Sequence, residues 1–117
     1  PFFLAAQFLF LCKTVHQNKI NFIHCHWIIP QGFFVALYNF FTGVPFILSA
    51  HGGDVFSFKN NLFISQLKKF AVNRSKMCTA NSKATRQQVY NISNQSNIKT
   101  IPMGVDIKQF NPKYEGI

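Results

Sequence analysis

Two short segments hold most of the side chains able to do chemistry: Ile23-His24-Cys25-His26-Trp27 and Ser49-Ala50-His51-Gly52-Gly53-Asp54. Each is an apolar run that ends in histidines, small residues or a carboxylate. His24 and His26 stand two apart, so on a strand they share one face, ~6.6 Å apart along it. One reading makes His24 a hydrogen-bonded core residue and leaves His26 alone at the rim. The other is a metal site, for which four histidines (His16, His24, His26, His51) and three cysteines supply suitable ligand types. There is no CxxC, HxxxH or HExxH spacing and few acids to orient an imidazole, so no metal is expected. Trp27, the one tryptophan, either closes the hydrophobic edge of a sheet or offers a flat wall to a sugar or lipid.

His51-Gly52-Gly53-Asp54 is the sharper motif. Two glycines permit positive φ and close backbone approach to a ligand. His51 can donate or accept a proton near neutral pH. Asp54 caps the next turn, orients His51 or binds a hydroxyl. A plain Gly-rich turn with Asp54 as N-cap is the alternative. Other chemistries lack their residues. The phosphate-loop patterns GxGxxG and GxxxxGK[ST] are absent. So is the GxSxG of serine hydrolases. The three acids, Asp54, Asp106 and Glu115, lie too far apart in sequence to read as a glycosidase pair.

These groups need elements to place them. Leu4, Phe8, Leu11, Cys12 and Val15 recur at helical spacing, so residues 2–17 read as a helix. Residues 20–27 read as a strand. A helix follows over 31–42, with Phe34, Leu37, Tyr38 and Phe41 on one stripe and Gly43 as C-cap. A second strand covers Phe46 to Ala50, and the Gly-Gly loop comes next. Residues 61–73 read as an amphipathic helix, Leu62, Leu67, Phe70 and Ala71 inward, Lys68, Lys69 and Arg74 outward. Strands over 76–80 and 98–101 flank a helix capped by Asn81 or Ser82 and running to about Asn91. The alternation predicts an α/β fold: a Rossmann-like parallel sheet with helices on both faces. The strands read as apolar runs, as burial on two sides requires. Ligands then bind outside the carboxyl ends of the strands, where both motifs fall.

Composition sets outer bounds. A chain of 117 residues allows one domain. Its start at Pro1, inside an apolar stretch, reads as a cut. The segment 2–11 is apolar but shorter than the ~20 residues of a membrane span. It lacks a basic leader and a cleavage site, so it is not a convincing signal peptide. An odd number of well-separated cysteines in apolar contexts suits buried thiols in a cytoplasmic protein. The net charge of +9 is either a solubilising surface or an attraction to anions: a nucleotide, a lipid phosphate or an acidic membrane. Scattered Lys and Arg, with no nucleic-acid-binding signature, argue against nucleic acid.

Taken in order, five pieces resemble a known family: His24-Cys25-His26-Trp27; Pro30-Gln31-Gly32; Ala50-His51-Gly52-Gly53-Asp54-Val55-Phe56; Thr79-Ala80-Asn81-Ser82; and Ile101-Pro102-Met103-Gly104-Val105-Asp106 with Phe110-Asn111-Pro112. Their spacing over 20–112 is similar to the second half of the N-terminal domain of a GT-B glycosyltransferase of the GT4 type (glycosyl transferase group 1). Met103 stands where the family usually has Asn.

The resemblance implies retaining transfer of a sugar from a nucleotide sugar to an acceptor hydroxyl, on a glycan, polysaccharide or lipid-linked molecule. It implies residues 1–102 as the acceptor-side domain, cut at its N-terminus, and 103–117 as the start of the crossover to a donor-binding domain. His51 matches the family's cleft histidine, the catalytic candidate. His26, Trp27, Gly52, Gly53 and Asp54 match the acceptor-side rim, and Pro102, Gly104 and Asp106 the interdomain hinge. No metal or cofactor is implied; the nucleotide sugar is a co-substrate. The expected location is cytoplasmic, with peripheral contact at an anionic membrane face. The family's Gly-rich loop and its E-x7-E element are not in this stretch, so the fragment alone is expected to be inactive. A non-enzymatic module of the same fold, or another GT-B enzyme such as a nucleotide-sugar epimerase, remains the alternative.

Overall fold

The computed structural model describes residues 2–110. Residues 111–117 lie outside the described residues, and with them the Asn111-Pro112 end of the last matching piece and Glu115. Ten segments alternate along the chain: α1 (Phe2–Gln17), β1 (Ile23–His26), a wide turn (Ile28–Gly32), α2 (Phe33–Thr42), β2 (Phe46–Ala50), α3 (Gly53–Phe56), α4 (Leu62–Arg74), β3 (Met77–Ala80), α5 (Lys83–Ile92) and β4 (Ile98–Thr100). The four strands form one parallel sheet in the order β1-β2-β3-β4. The parallel, Rossmann-like α/β sheet is as expected; among the described residues its helices cover one face, where helices on both faces were expected.

Local chemistry sets the boundaries. Gly43 takes φ 74° and ends α2, its N–H bonded to the Asn39 carbonyl at 2.8 Å. Asn61 caps α4 by accepting from the Ile64 N–H at 3.1 Å. Ser82 caps α5 by accepting from the Thr85 N–H at 3.1 Å. β1 starts at Ile23 rather than at residue 20, and it ends at His26 because Trp27 turns to φ 74°, which no strand continues through.

The winding explains which face is buried. The strands advance in one direction, and right-handed crossovers then place every connecting helix on the same side. Cys25, Phe46, Leu48, Cys78 and Ile98 point to that side and pack on Val35, Ala36, Val55, Ala71, Val72 and Val89. The opposite face carries His24, His26, Ile47, Ser49, Met77 and Thr79, and no second helical layer covers it among the described residues. The strands therefore alternate more than their apolar composition suggested.

Three orientations differ from expectation. Lys68 was expected outward but is 2% exposed, because it shares a helical face with Ala71 and Val72. Leu62, expected inward, is exposed at the first turn of α4. Phe41 is exposed, and Val35 and Ala36 instead form the buried stripe of α2. The three cysteines are free thiols. Burial first, and the carboxylate of Asp54 second, push both Cys25 and Cys78 up to about 12.

Candidate functional site

β1 and β2 run in register, with His26 opposite Ser49. The Trp27 N–H donates to the Ser49 carbonyl at 2.9 Å, so the two strands end level. His51 follows directly after β2. This brings His26 and His51 to the same edge, where His26 Nδ1 and His51 Nε2 share a hydrogen bond of 2.9 Å. The rings lie stacked with centroids 5.2 Å apart. His24 adds a third ring, 4.4 Å from His26. His24 Nε2 bonds Ser49 Oγ at 2.9 Å, and Ser49 Oγ bonds Thr79 Oγ1 at 2.8 Å. A polar ladder thus crosses three strands on the open face of the sheet.

This ladder floors a cleft of about 350 Å³. Its far wall is Ile101, Pro102, Met103 and Gly104, so two of the three hinge candidates border the site. Among the described residues, no Asp, Glu, Lys or Arg lines it. Desolvation, followed by the neighbouring His24 and His51, holds the His26 imidazole below its ordinary value. Among the described residues, no group of three or more His, Cys, Asp or Glu is placed to hold a metal ion.

The backbone of His51 is held from both sides. Asp54 is 4% exposed. Its Oδ1 accepts from the His51 N–H at 3.0 Å and its Oδ2 from the Ile28 N–H at 2.7 Å. One buried carboxylate therefore ties the loop after β1 to the loop after β2. Of the roles open to Asp54, orienting His51 is the one its geometry performs; its burial does not support direct contact with a substrate. Asn81 Nδ2 donates to the His51 carbonyl at 3.1 Å, and Thr85 Oγ1 donates to Asn81 Oδ1 at 2.9 Å. Lys68 Nζ donates to the Val55 carbonyl at 3.0 Å and to the Ser57 carbonyl, bracing α3 behind the loop. Burial pushes the Lys68 ammonium down, while Asp54 acts in the other direction.

The remaining candidates sit apart from the cleft wall. Trp27 is 48% exposed and does not line it. Gly52 needs its φ of 99°, which opens α3. Gly53 has no such need, and a Cβ there meets open space. Asp106 is exposed, and its Oδ1 accepts from the Lys108 N–H at 2.9 Å, closing a turn. Sequence reasoning gave no site role to Ser49 or Thr79, offered Asn81 only as a helix cap, and placed Lys68 in solvent. The register of the strands and the i to i+3 relation of Lys68 to Ala71 were the signals that pointed to them.

The family model described as Glycosyltransferase Family 4 matches residues 1–109. An uncharacterised glycosyltransferase of Methanocaldococcus jannaschii is 30% identical over 77 residues, which cover 66% of this chain. The chain spans only 22% of that relative's length.

Proposed function

The chain belongs to Glycosyltransferase Family 4, and on that premise we propose that its whole protein transfers a sugar from a nucleotide sugar to an acceptor hydroxyl with retention of configuration. The acceptor is a glycan, polysaccharide or lipid-linked molecule. The observation that carries this reading is the His26–His51 pair, held at the carboxyl ends of β1 and β2 above a cleft bordered by 101–104. Polar groups at that edge of a parallel sheet are placed for a ligand rather than for packing.

In this reading His51 contacts the donor sugar and His26 stands on the acceptor side. The glycines after His51 let a substrate come close to the loop backbone. Pro102 and Gly104 form the hinge about which a second domain closes, shutting out water and limiting hydrolysis. The leaving diphosphate needs cationic or N–H donors. Among the described residues the cleft wall has no Lys, Arg, Asp or Glu, and in this reading those donors are supplied by the rest of the whole protein. The reading assigns no metal or cofactor to these residues.

The same proposal includes peripheral contact with an anionic membrane from the cytoplasmic side. Phe2, Phe3, Leu9 and Phe10 are exposed on α1, and the chain carries a net +9. No helix among the described residues is long and apolar enough to cross a membrane. Sedimentation with vesicles of neutral and of anionic lipid tests this contact. Binding that needs the anionic lipid and falls with salt is expected.

His51→Ala in the whole protein tests the transfer itself. We expect turnover to fall about 100- to 10,000-fold with little change in melting temperature, because a loop residue at a strand end contributes ligand contacts more than packing. Unchanged turnover removes His51 from the site. A collapsed melting temperature assigns it to the fold instead.

A further inference from the structure

The hydrogen bond between His26 and His51 has a chemical consequence beyond proximity. A neutral imidazole carries one N–H and one bare nitrogen. With Nδ1 of His26 and Nε2 of His51 2.9 Å apart, one ring must donate and the other accept. The tautomer of each ring therefore fixes that of the other. Two nitrogens remain, His26 Nε2 and His51 Nδ1, and neither has a protein partner among the described residues. Whichever ring donates inside the pair, the remaining nitrogens are one donor and one acceptor.

We propose that His26 and His51 act as one unit, in which His26 is a positioning residue that fixes the tautomer and orientation of His51 for a neutral sugar hydroxyl. A hydroxyl gives one hydrogen bond and takes others, so it fits a donor beside an acceptor. A phosphate oxygen only accepts and fits two donors, which the neutral pair does not offer. The cleft wall, without Lys or Arg among the described residues, points the same way. Surrounding contacts keep the pair rigid. Asp54 and Asn81 hold the His51 backbone, and the ring of His24, itself anchored on Ser49, lies tilted against His26. The contact to sugar rests on the transferase reading; the coupling of the two rings does not.

The test separates the two. In the whole protein with 15N-labelled histidine, ring nitrogen shifts report each tautomer directly. His51 is expected to show one dominant tautomer in the native protein. It should show a mixture in His26→Phe. His26→Asn places an amide nitrogen where Nδ1 stood and should restore the single form. His26→Gln reaches the Nε2 position instead and should not. Transfer, measured as kcat/KM, should fall about 100-fold in His26→Phe, as for a misplaced reacting group. It should recover to within about 5-fold in His26→Asn, by the same argument from retained placement. Should His26→Phe fail to fold, the Asn and Gln pair still decides. Identical His51 ring shifts in the native protein and in the Phe or Gln variants overturn the coupling. A protein that shows the coupling but transfers no sugar overturns the transferase reading and upholds the pair.

Discussion

Glycines 32 and 53 show how one residue type serves two purposes around the site. A Cβ on Gly32 would stand 2.8 Å from Leu48 Cδ1 and 2.9 Å from the Trp27 carbonyl oxygen. The second contact is backbone and cannot swing away, so this glycine is required by packing of the turn under β1 and β2. Gly32→Ala should cost about 1–3 kcal/mol, the range of an overpacked core, and thermal melting reads it. Gly53 is different. Its Cβ would meet nothing within 4 Å and its φ is ordinary. Gly53→Ala should leave the melting temperature unchanged or raise it slightly, by about 0.4–1 kcal/mol of stability. In the proposed transferase the same change should raise KM, since the new methyl stands where a substrate approaches the loop. A KM equal to that of the native protein takes Gly53 out of the site.

At the level of elements, the alternation of the strands puts two thiols on the packed face and the histidines on the open one. Cys25 on β1 and Cys78 on β3 are each pushed up to about 12 from an ordinary value of 9.0. Below pH 9 the thiols are protonated in both folded and unfolded chains, and their pH contribution is flat. Above it the unfolded chain loses its protons while the folded chain keeps them. Stability should then fall by about 1.4 kcal/mol per pH unit for each thiol up to about pH 12. Lys68 works in the opposite sense below its ordinary value of 10.5, where the unfolded chain holds a proton that the buried amine has lost. The fall should therefore be steepest above about pH 10.5, once Lys68 has titrated in both states. Cys25→Ala should remove about half of that slope in denaturant titrations; an unchanged slope would place its thiol in solvent. The same elements show what could be read from residues alone. The bounds of β2, the C-cap Gly43 and the choice of Asn81 or Ser82 as the cap of α5 were legible, because each depends on a residue type acting locally. The meeting of His26 and His51 was legible because both end apolar runs. Lys68 was not, because its charge suggests solvent while its helical position lies over Ala71. Its burial depends on the carbonyls of Val55 and Ser57, which come from a different element. The short α3 was hidden inside two glycines that read as loop.

The whole molecule combines a strongly basic chain with a cleft whose wall, among the described residues, has no Lys or Arg. These two facts predict different kinds of binding. The net +9 attracts any phosphate-bearing ligand over a range set by screening, ~8 Å at physiological salt. Such attraction is weak between exposed charges and does not distinguish one sugar from another. Recognition of a nucleotide sugar needs donors fixed around the diphosphate, and the cleft offers imidazoles, hydroxyls and a hydrophobic wall instead. The chain spans 22% of the glycosyltransferase it resembles, which leaves room elsewhere in a whole protein for those donors. The isolated 117-residue chain should therefore bind nucleotide sugars weakly, with an affinity that drops as salt rises. It should not prefer one nucleotide sugar over another. Calorimetric titration with several nucleotide sugars at low and moderate salt measures both properties at once. Tight binding that survives moderate salt and separates the sugars would place the donor site within this chain. It would also require the histidine pair to recognise the donor without help from a second domain.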